Sequence, residues 1–162
     1  MMKFLLLIIL STCSITASAQ NSKSADINNC DTITNSVKEK LMRLYQLQLV
    51  LTELDSIKAK HELQPEGIDA VYADEEVLLK RSRYLESLIE SRLLSSFKRI
   101  RITSRNKVAI VCLNEGACGG CSSKVPENRQ NDILGYKKII VCQYCGRILI
   151  DPKLALSVHV FK

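Results

Sequence analysis

Four of the chain's seven cysteines stand in two pairs with the same internal spacing. Two residues lie between Cys118 and Cys121 and two between Cys142 and Cys145, and twenty residues separate the pairs. In a C-x2-C turn both sulfurs can face one ion, and two such turns complete a tetrahedron of sulfurs at about 2.3 Å from zinc. The pattern therefore predicts one Zn²⁺ held by Cys118, Cys121, Cys142 and Cys145.

The chemistry of such a site is structural. Four thiolates fill the coordination sphere of zinc and leave no position for water or substrate. Zinc binding would instead supply folding free energy, on the order of 10 kcal/mol, to a segment too short to pack alone. The alternative is a thiol–disulfide oxidoreductase, which needs an active C-x-x-C at a helix start within a βαβ unit. The sequence shows no catalytic triad, phosphate loop or acid–base carboxylate pair, so we expect no enzyme.

The first nineteen residues have the organisation of a secretory signal peptide. Lys3 gives a positive start, residues 4–10 form an apolar run, and Ala17-Ser18-Ala19 is a small-x-small cleavage site. Cleavage after Ala19 would export the chain to the periplasm or cell envelope. The alternatives are a lipoprotein modified at Cys13 and a cytoplasmic chain. No later stretch is long and apolar enough to cross a bilayer.

Two helices are predicted before the cysteine pairs. Residues 20–35 are polar and predict a flexible linker, after which Ser36-x-x-Glu39 has the pattern of a capping box. A 3–4 spacing of apolar residues then lays a seam along one helix face. Pro65 and Gly67 end this helix, and a second one, from about Asp69 to Ile100, should fold back on it. Residues 36–101 thus predict an antiparallel two-helix coiled-coil hairpin. The seam consists of Val37, Leu44, Leu47, Leu51 and Leu54.

Short β-branched runs flank the cysteine pairs and predict a small β ribbon over residues 106–152. The runs are residues 108–111, 139–141 and 148–150, each beside a cysteine turn. Residues 153–162 are interpreted as a C-terminal tail, in which 154–161 could add a last strand. The predicted fold class is therefore α+β, with the hairpin followed by the ribbon.

The charge is divided unequally along the chain. Residues 20–96 contain 10 Lys and Arg against 13 Asp and Glu, a net of −3, whereas residues 97–162 contain 12 against 4, a net of +8. The basic half could attract nucleic acid, anionic lipid or an acidic protein surface, or its lysines could simply be solvated.

Two further cysteines flank the predicted hairpin. Cys30 precedes its first helix and Cys112 follows its second, so an antiparallel hairpin brings both to the same end. We hypothesise that they form a disulfide in the exported protein; the alternative is a small buried Cys112 and an idle Cys30 thiol. Free thiols in the denatured, metal-free mature chain distinguish the two: four support the disulfide and six exclude it.

The residues around the cysteines resemble the bacterial C4-type zinc-ribbon family, specifically over residues 106–152 and more loosely over 36–100. Its members carry the ribbon at the end of a long antiparallel coiled-coil hairpin and are often labelled nucleic-acid binders, and some act as adaptors in flagellar regulation or type III secretion. The resemblance implies the same four zinc ligands. It rests on Val108-Ala109, Gly116-Ala117-Cys118-Gly119-Gly120-Cys121, Val125-Pro126 and the run from Ile140 to Leu149.

Taken together, these features predict an exported, non-enzymatic adaptor or assembly module. It would bind a protein partner through its hairpin and ribbon, and could also associate with itself. The alternative is a nucleic-acid-binding ribbon protein, which requires a cytoplasmic chain because an exported one would not meet nucleic acid.

Overall fold

The computed structural model describes residues 24–63 and 68–159, with side chains described over 35–62 and 74–158. The predicted signal peptide (residues 1–19) and Cys13 lie outside this part of the chain. Helices precede and flank a small sheet, so the predicted α+β class is confirmed. The helices are α1 (Ser24–Leu63), α2 (Ile68–Ser87), α3 (Ser91–Thr103), α4 (Glu127–Leu134) and α5 (Pro152–His159), and the strands are β1 (Ile110–Asn114), β2 (Ala117–Cys118), β3 (Ile140–Val141) and β4 (Ile148–Ile150).

The predicted seam on α1 forms the centre of the main core. Leu44 and Leu47 are fully buried, and Leu54 is 4 % exposed, while Val37 and Leu51 pack at the margin. Helix α2 runs antiparallel beside α1, and the guanidinium of Arg43 on α1 donates to the Leu88 carbonyl just after α2, at 3.1 Å. The residues that connect α1 and α2, 64–67, lie outside the described part of the chain.

The second predicted helix is wrong in one respect, because the chain turns between Ser87 and Ser91. The Lys40 ammonium lies 3.5 Å from the Glu90 carboxylate. The Arg101 guanidinium lies 2.6 Å from the Asp55 carboxylate. Since the contacts on α1 advance from residue 40 to 55 as α3 advances from 90 to 101, α3 runs in the same direction as α1. The helical part is thus a three-helix arrangement instead of a two-helix hairpin.

No Gly or Pro marks this turn, so its cause is tertiary. At the end of α2 the Leu88 and Ile89 N–H groups donate three residues back, to Leu85 and Glu86. The reversal brings Phe97 of α3 into the core, where it is fully buried, and leaves Leu88 38 % exposed. Burying a Phe side chain contributes roughly 1.5–3 kcal/mol, which offsets the helix propensity lost at the turn, where Leu88 and Glu90 are both good helix formers.

The predicted linker is wrong from Ser24 onward, because α1 already includes residues 24–35. Ser36 therefore lies inside a helix and does not cap one. Polar residues such as Asn and Thr cost at most about 0.7 kcal/mol each relative to Ala in a helix. Extending a helix that is already nucleated and packed avoids the nucleation cost.

The predicted C-terminal tail is also wrong over residues 152–159, which form α5 in place of a tail or last strand. Asp151 begins this helix: its Oδ1 accepts from the Lys153 N–H at 3.0 Å, and its carbonyl accepts from Leu154 N–H. Pro152 occupies the first helical position. Leu154 and Ala155 pack into the main core against α1. Asp followed by Pro is a recognised helix start, so this signal was present in the sequence.

The sheet has the order β2-β1-β4-β3, with a parallel pair at its centre. Strands β1 and β4 pair in parallel, and β2 and β3 add to them as antiparallel edges. Successive side chains of a strand point to opposite faces, and β4 uses both. Ile148 and Ile150 join the main core with the helices, whereas Leu149 joins a second core with α4 and the cysteines.

Gln48 of α1 joins the helices to the sheet. Its side chain is 5 % exposed, and its Oε1 accepts from the backbone N–H groups of Ala109, at 2.8 Å, and Ile110, at 2.7 Å. Its Nε2 donates to the Ile110 carbonyl at 2.9 Å. One buried amide thus satisfies three backbone groups where β1 begins.

The Cys30–Cys112 disulfide remains a prediction, because the Cys30 side chain lies outside the described residues. Cys112 is a half-buried free thiol that packs beside the same core as Tyr45. Positions 30 and 45 are fifteen residues apart on α1, which places them about 22 Å apart along the helix at 1.5 Å per residue. The Cα atoms of two cysteines in a disulfide lie within about 7 Å of each other. The pairing would therefore require α1 to unwind at its start.

None of the described helices is both long and apolar enough to cross a membrane.

We predict that Gln48→Ala lowers the free energy of unfolding by about 3 kcal/mol. The substitution leaves two N–H groups and one carbonyl buried without partners, each at a cost of about 1–3 kcal/mol, partly relieved by relaxation. Urea denaturation followed by circular dichroism measures the change. Gln46→Ala is the matched control, since Gln46 is only half-buried, and it should change stability by less than about 0.5 kcal/mol. Equal effects of the two substitutions would contradict the role given to Gln48.

Candidate metal centre

The structure brings the four predicted ligands together. Their sulfur atoms all lie within 4.8 Å of one another. The Sγ atoms of Cys118 and Cys145 are 3.7 Å apart, and so are those of Cys121 and Cys142. A tetrahedron of sulfurs at about 2.3 Å from zinc has edges of about 3.8 Å. The donor set thus fits one Zn²⁺, and the four cysteines form a C4 site in which zinc would have a structural role.

The two cysteine turns share one backbone design. The residue after each second cysteine has a positive φ, 59° at Ser122 and 71° at Gly146. Its N–H donates to the carbonyl of the first cysteine of the pair, at 2.8 Å in the first turn and 2.9 Å in the second. Gly146 meets this conformation at no steric cost, whereas Ser122 adopts it as an L residue. The first turn therefore stores some backbone strain that the second does not.

Gly119 and Gly120 are needed for their size, and neither has a positive φ. A Cβ at Gly119 would lie 2.7 Å from the Cys112 carbonyl oxygen, and one at Gly120 would lie 2.7 Å from Nη1 of Arg147. Gly119 N–H donates to that same Cys112 carbonyl at 2.9 Å. The first cysteine turn is thus packed directly onto β1. Gly116, in the turn between β1 and β2, does have a positive φ, of 77°.

Arg147 connects the first cysteine turn with the start of β1. Its Nε donates to the Val108 carbonyl and its Nη1 to the Gly120 carbonyl, both at 3.0 Å. Hydrogen bonds from a charged donor are stronger than neutral ones. Arg147 lies two residues after Cys145, so it holds the first turn from the end of the second. No residue pattern in the sequence reveals this role of Arg147, because its partners are backbone carbonyls.

The ligands differ in exposure and in proton affinity. Cys118 and Cys142 are 1 % and 5 % exposed and belong to the second core, whereas Cys121 is exposed. Without metal, burial raises the pKa of the Cys118 thiol, while the hydroxyl and N–H of Ser123 lower the pKa of Cys121. Because zinc binds thiolates, metal binding displaces the protons that these thiols hold.

Cys112 does not belong to this cluster, which consists of Cys118, Cys121, Cys142 and Cys145 among the residues whose side chains are described. Burial raises the pKa of the Cys112 thiol, and the charge of Asp151 raises it further. Its thiol is therefore a weak nucleophile and a weak ligand at neutral pH.

Comparison with known proteins identifies the cysteine region. Residues 117–149 match the family model described as the C4-type zinc ribbon domain. No curated protein matches the chain. Among solved structures, the HP0958 protein from Helicobacter pylori CCUG 17874 matches with a TM-score of 0.37 and 20 % sequence identity, over 80 % of this chain and 81 % of that one.

We predict that Cys142→Ser abolishes zinc binding and unfolds the ribbon. A hydroxyl is a poor zinc ligand, and the three remaining thiolates would leave the ion open to water and chelators. Zinc content by elemental analysis, together with amide dispersion in NMR spectra, checks the outcome. Cys112→Ser is the control and should retain one zinc per chain. A folded ribbon in zinc-free Cys142→Ser would contradict the structural role of the ion.

We predict that Arg147→Ala weakens zinc binding on the order of tenfold, as loss of residues that support ligands commonly does. The first cysteine turn would lose its connection to Val108 while all four thiolates remain. Competition with a chromophoric chelator measures the affinity. Arg105→Ala removes an exposed arginine from the loop before β1 and should leave the affinity unchanged. If Arg147→Ala and Arg105→Ala bind zinc equally, the arginine does not support the site.

Proposed function

We propose that this chain, whose residues 117–149 form a C4-type zinc ribbon, is a non-enzymatic adaptor that binds a protein partner outside the cytoplasm. The observation that carries the proposal is the arrangement of the four sulfurs. Zinc held by four thiolates at tetrahedral spacing has no open position at which a substrate could be activated. The ion therefore contributes stability, and function is assigned to the surfaces of the molecule.

The helices offer one such surface. Val77 and Tyr84 on α2 are each 63 % exposed, and Leu88 just beyond it is 38 % exposed. Positions seven and four residues apart lie along one face of a helix. A row of exposed apolar side chains on a helix supports binding of another protein more than it supports a purely structural role.

The rigid connection between helices and ribbon also supports an adaptor. Gln48 holds β1 from the α1 side, and the first cysteine turn holds it from the other side through the Cys112 carbonyl. The exposed row on α2 and the surface of the ribbon are therefore kept in a fixed position relative to each other, as a protein that aligns partners requires.

Location remains part of the proposal. The leader-like residues 1–19 support export, and an exported chain would encounter proteins and lipids in preference to nucleic acid. Nucleic-acid binding is the second candidate, favoured by the net +8 that the 12 basic and 4 acidic residues of 97–162 produce. Part of that positive charge is neutralised within the chain, since Lys137 and Lys138 both pair with Asp132.

We predict that a partner protein is recovered with the zinc-loaded chain and lost with the zinc-free one. The full chain, tagged at its C terminus, would be cross-linked in its native cells, and proteins bound to it would be compared among the wild type, Cys142→Ser and the control Cys112→Ser. We expect a discrete protein in the envelope fraction with the wild type and Cys112→Ser, and its loss with Cys142→Ser because the ribbon unfolds. Recovery of nuclease-sensitive material from the cytoplasm instead, with strong salt dependence, would contradict the proposal.

A further inference from the structure

A shallow groove crosses the ribbon beside the second cysteine turn. Two concavities meet there and share Lys124, Val125 and Pro126. The first, of about 10 Å³, is bounded on its other side by Arg129, β3 and Tyr144. The second, of about 590 Å³, opens along the start of α4 toward Glu127 and Gln130. We refer to the surface formed by Lys124, Pro126, Arg129, Val141 and Tyr144 as the ribbon groove.

The floor of the ribbon groove is apolar and exposed. Val141 is 42 % and Tyr144 67 % exposed, although each neighbours a zinc ligand in sequence. Val141 belongs to β3, an edge strand of the sheet. Edge strands and exposed apolar side chains are features that proteins usually cover unless another chain binds there.

The rim of the ribbon groove is positively charged. Lys124 and Arg129 form no ion pair among the described residues, unlike Lys137 and Lys138, which pair with Asp132. The guanidinium of Arg147 is occupied by two backbone carbonyls. Glu127 is the one acidic residue that lines either concavity. Two available cations therefore stand beside an exposed apolar floor.

We propose that the ribbon groove binds an acidic peptide segment of a partner protein. An aliphatic or aromatic side chain of the segment rests on Val141 and Tyr144, and its carboxylates pair with Lys124 and Arg129. The inference rests on the proposed function, because it specifies the chemistry of the partner and where it binds.

Other occupants fit less well. A cavity of about 10 Å³ has room for about one water molecule, and five residues of the segment 124–130 line the larger concavity from one side, so a small molecule would not be enclosed. Binding of a single nucleic-acid strand uses a positive groove with several stacking aromatics. The ribbon groove offers two cations and one tyrosine, which is too few stacking aromatics for such a strand.

Selection from random 12-residue peptides displayed on phage, using the immobilised zinc-loaded full chain, tests the proposal. We expect enrichment of sequences that combine Asp or Glu with an aliphatic or aromatic residue. Synthetic copies of the enriched peptides should shift the NMR amide signals of residues 124–129 and 141–144. Their affinity should fall on the order of tenfold in the double variant Lys124→Ala, Arg129→Ala and in Tyr144→Ser. Zinc content confirms that both variants remain folded.

Matched controls lie on α5. Lys153→Ala removes one exposed lysine, and Leu156→Ser removes an apolar side chain with the same 67 % exposure as Tyr144. Neither should alter peptide affinity. The proposal is overturned if no acidic sequence is enriched, if the controls and the groove variants act alike, if a dT12 oligonucleotide displaces the peptides, or if the groove variants only abolish self-association in sedimentation experiments.

The outcomes separate this proposal from the adaptor function. If a partner is recovered from cells equally with the wild type and with the groove variants, the adaptor function is supported and the ribbon groove is rejected as the binding site. Failure to select an acidic peptide would reject the ribbon groove alone, whereas failure to recover any partner from cells would reject the adaptor function on which the groove rests.

Discussion

The strands of the ribbon contain two to five residues each, and coordination of one zinc ion by two cysteine turns is the constraint that keeps them together. Neither turn has enough apolar surface to fold alone, because the second core contains only seven buried residues, two of which are ligands. Four Zn–S bonds replace the hydrophobic burial that such a short segment lacks. The hydrogen bonds of Gly119 and Arg147 then transmit this restraint from the cysteine turns to β1.

The parallel pair β1 and β4 makes the ribbon continuous with the helices. Because β4 places Ile148 and Ile150 on one face and Leu149 on the other, the same strand belongs to both cores. Gln48 adds a polar connection at the start of β1, where three backbone groups would otherwise be buried without partners. The two predicted units are therefore better understood as one packed body over the described residues, in which zinc loss would also weaken the attachment of the helices.

Because four thiolates leave zinc no open coordination position, binding of other molecules would take place at the surface of the protein. Outside the zinc site, the exposed row Val77, Tyr84 and Leu88 and the ribbon groove are two features that folding does not explain. These surfaces lie on different parts of the molecule, the groove on the ribbon and the exposed row along α2. The adaptor function that we propose would use these two surfaces.

The sequence by itself determined the ligands and the buried face of α1. Metal chemistry requires two close thiolate pairs, and a helix requires apolar residues every three or four positions, so both are local patterns. Only the tertiary structure decided the reversal after α2, the parallel pairing of β1 with β4 and the support from Gln48 and Arg147. The reversal occurs without Gly or Pro because it buries Phe97, and the two polar side chains bind backbone groups far away in sequence. Such contacts depend on which surfaces meet after folding. Residue type and spacing along the chain therefore do not predict them.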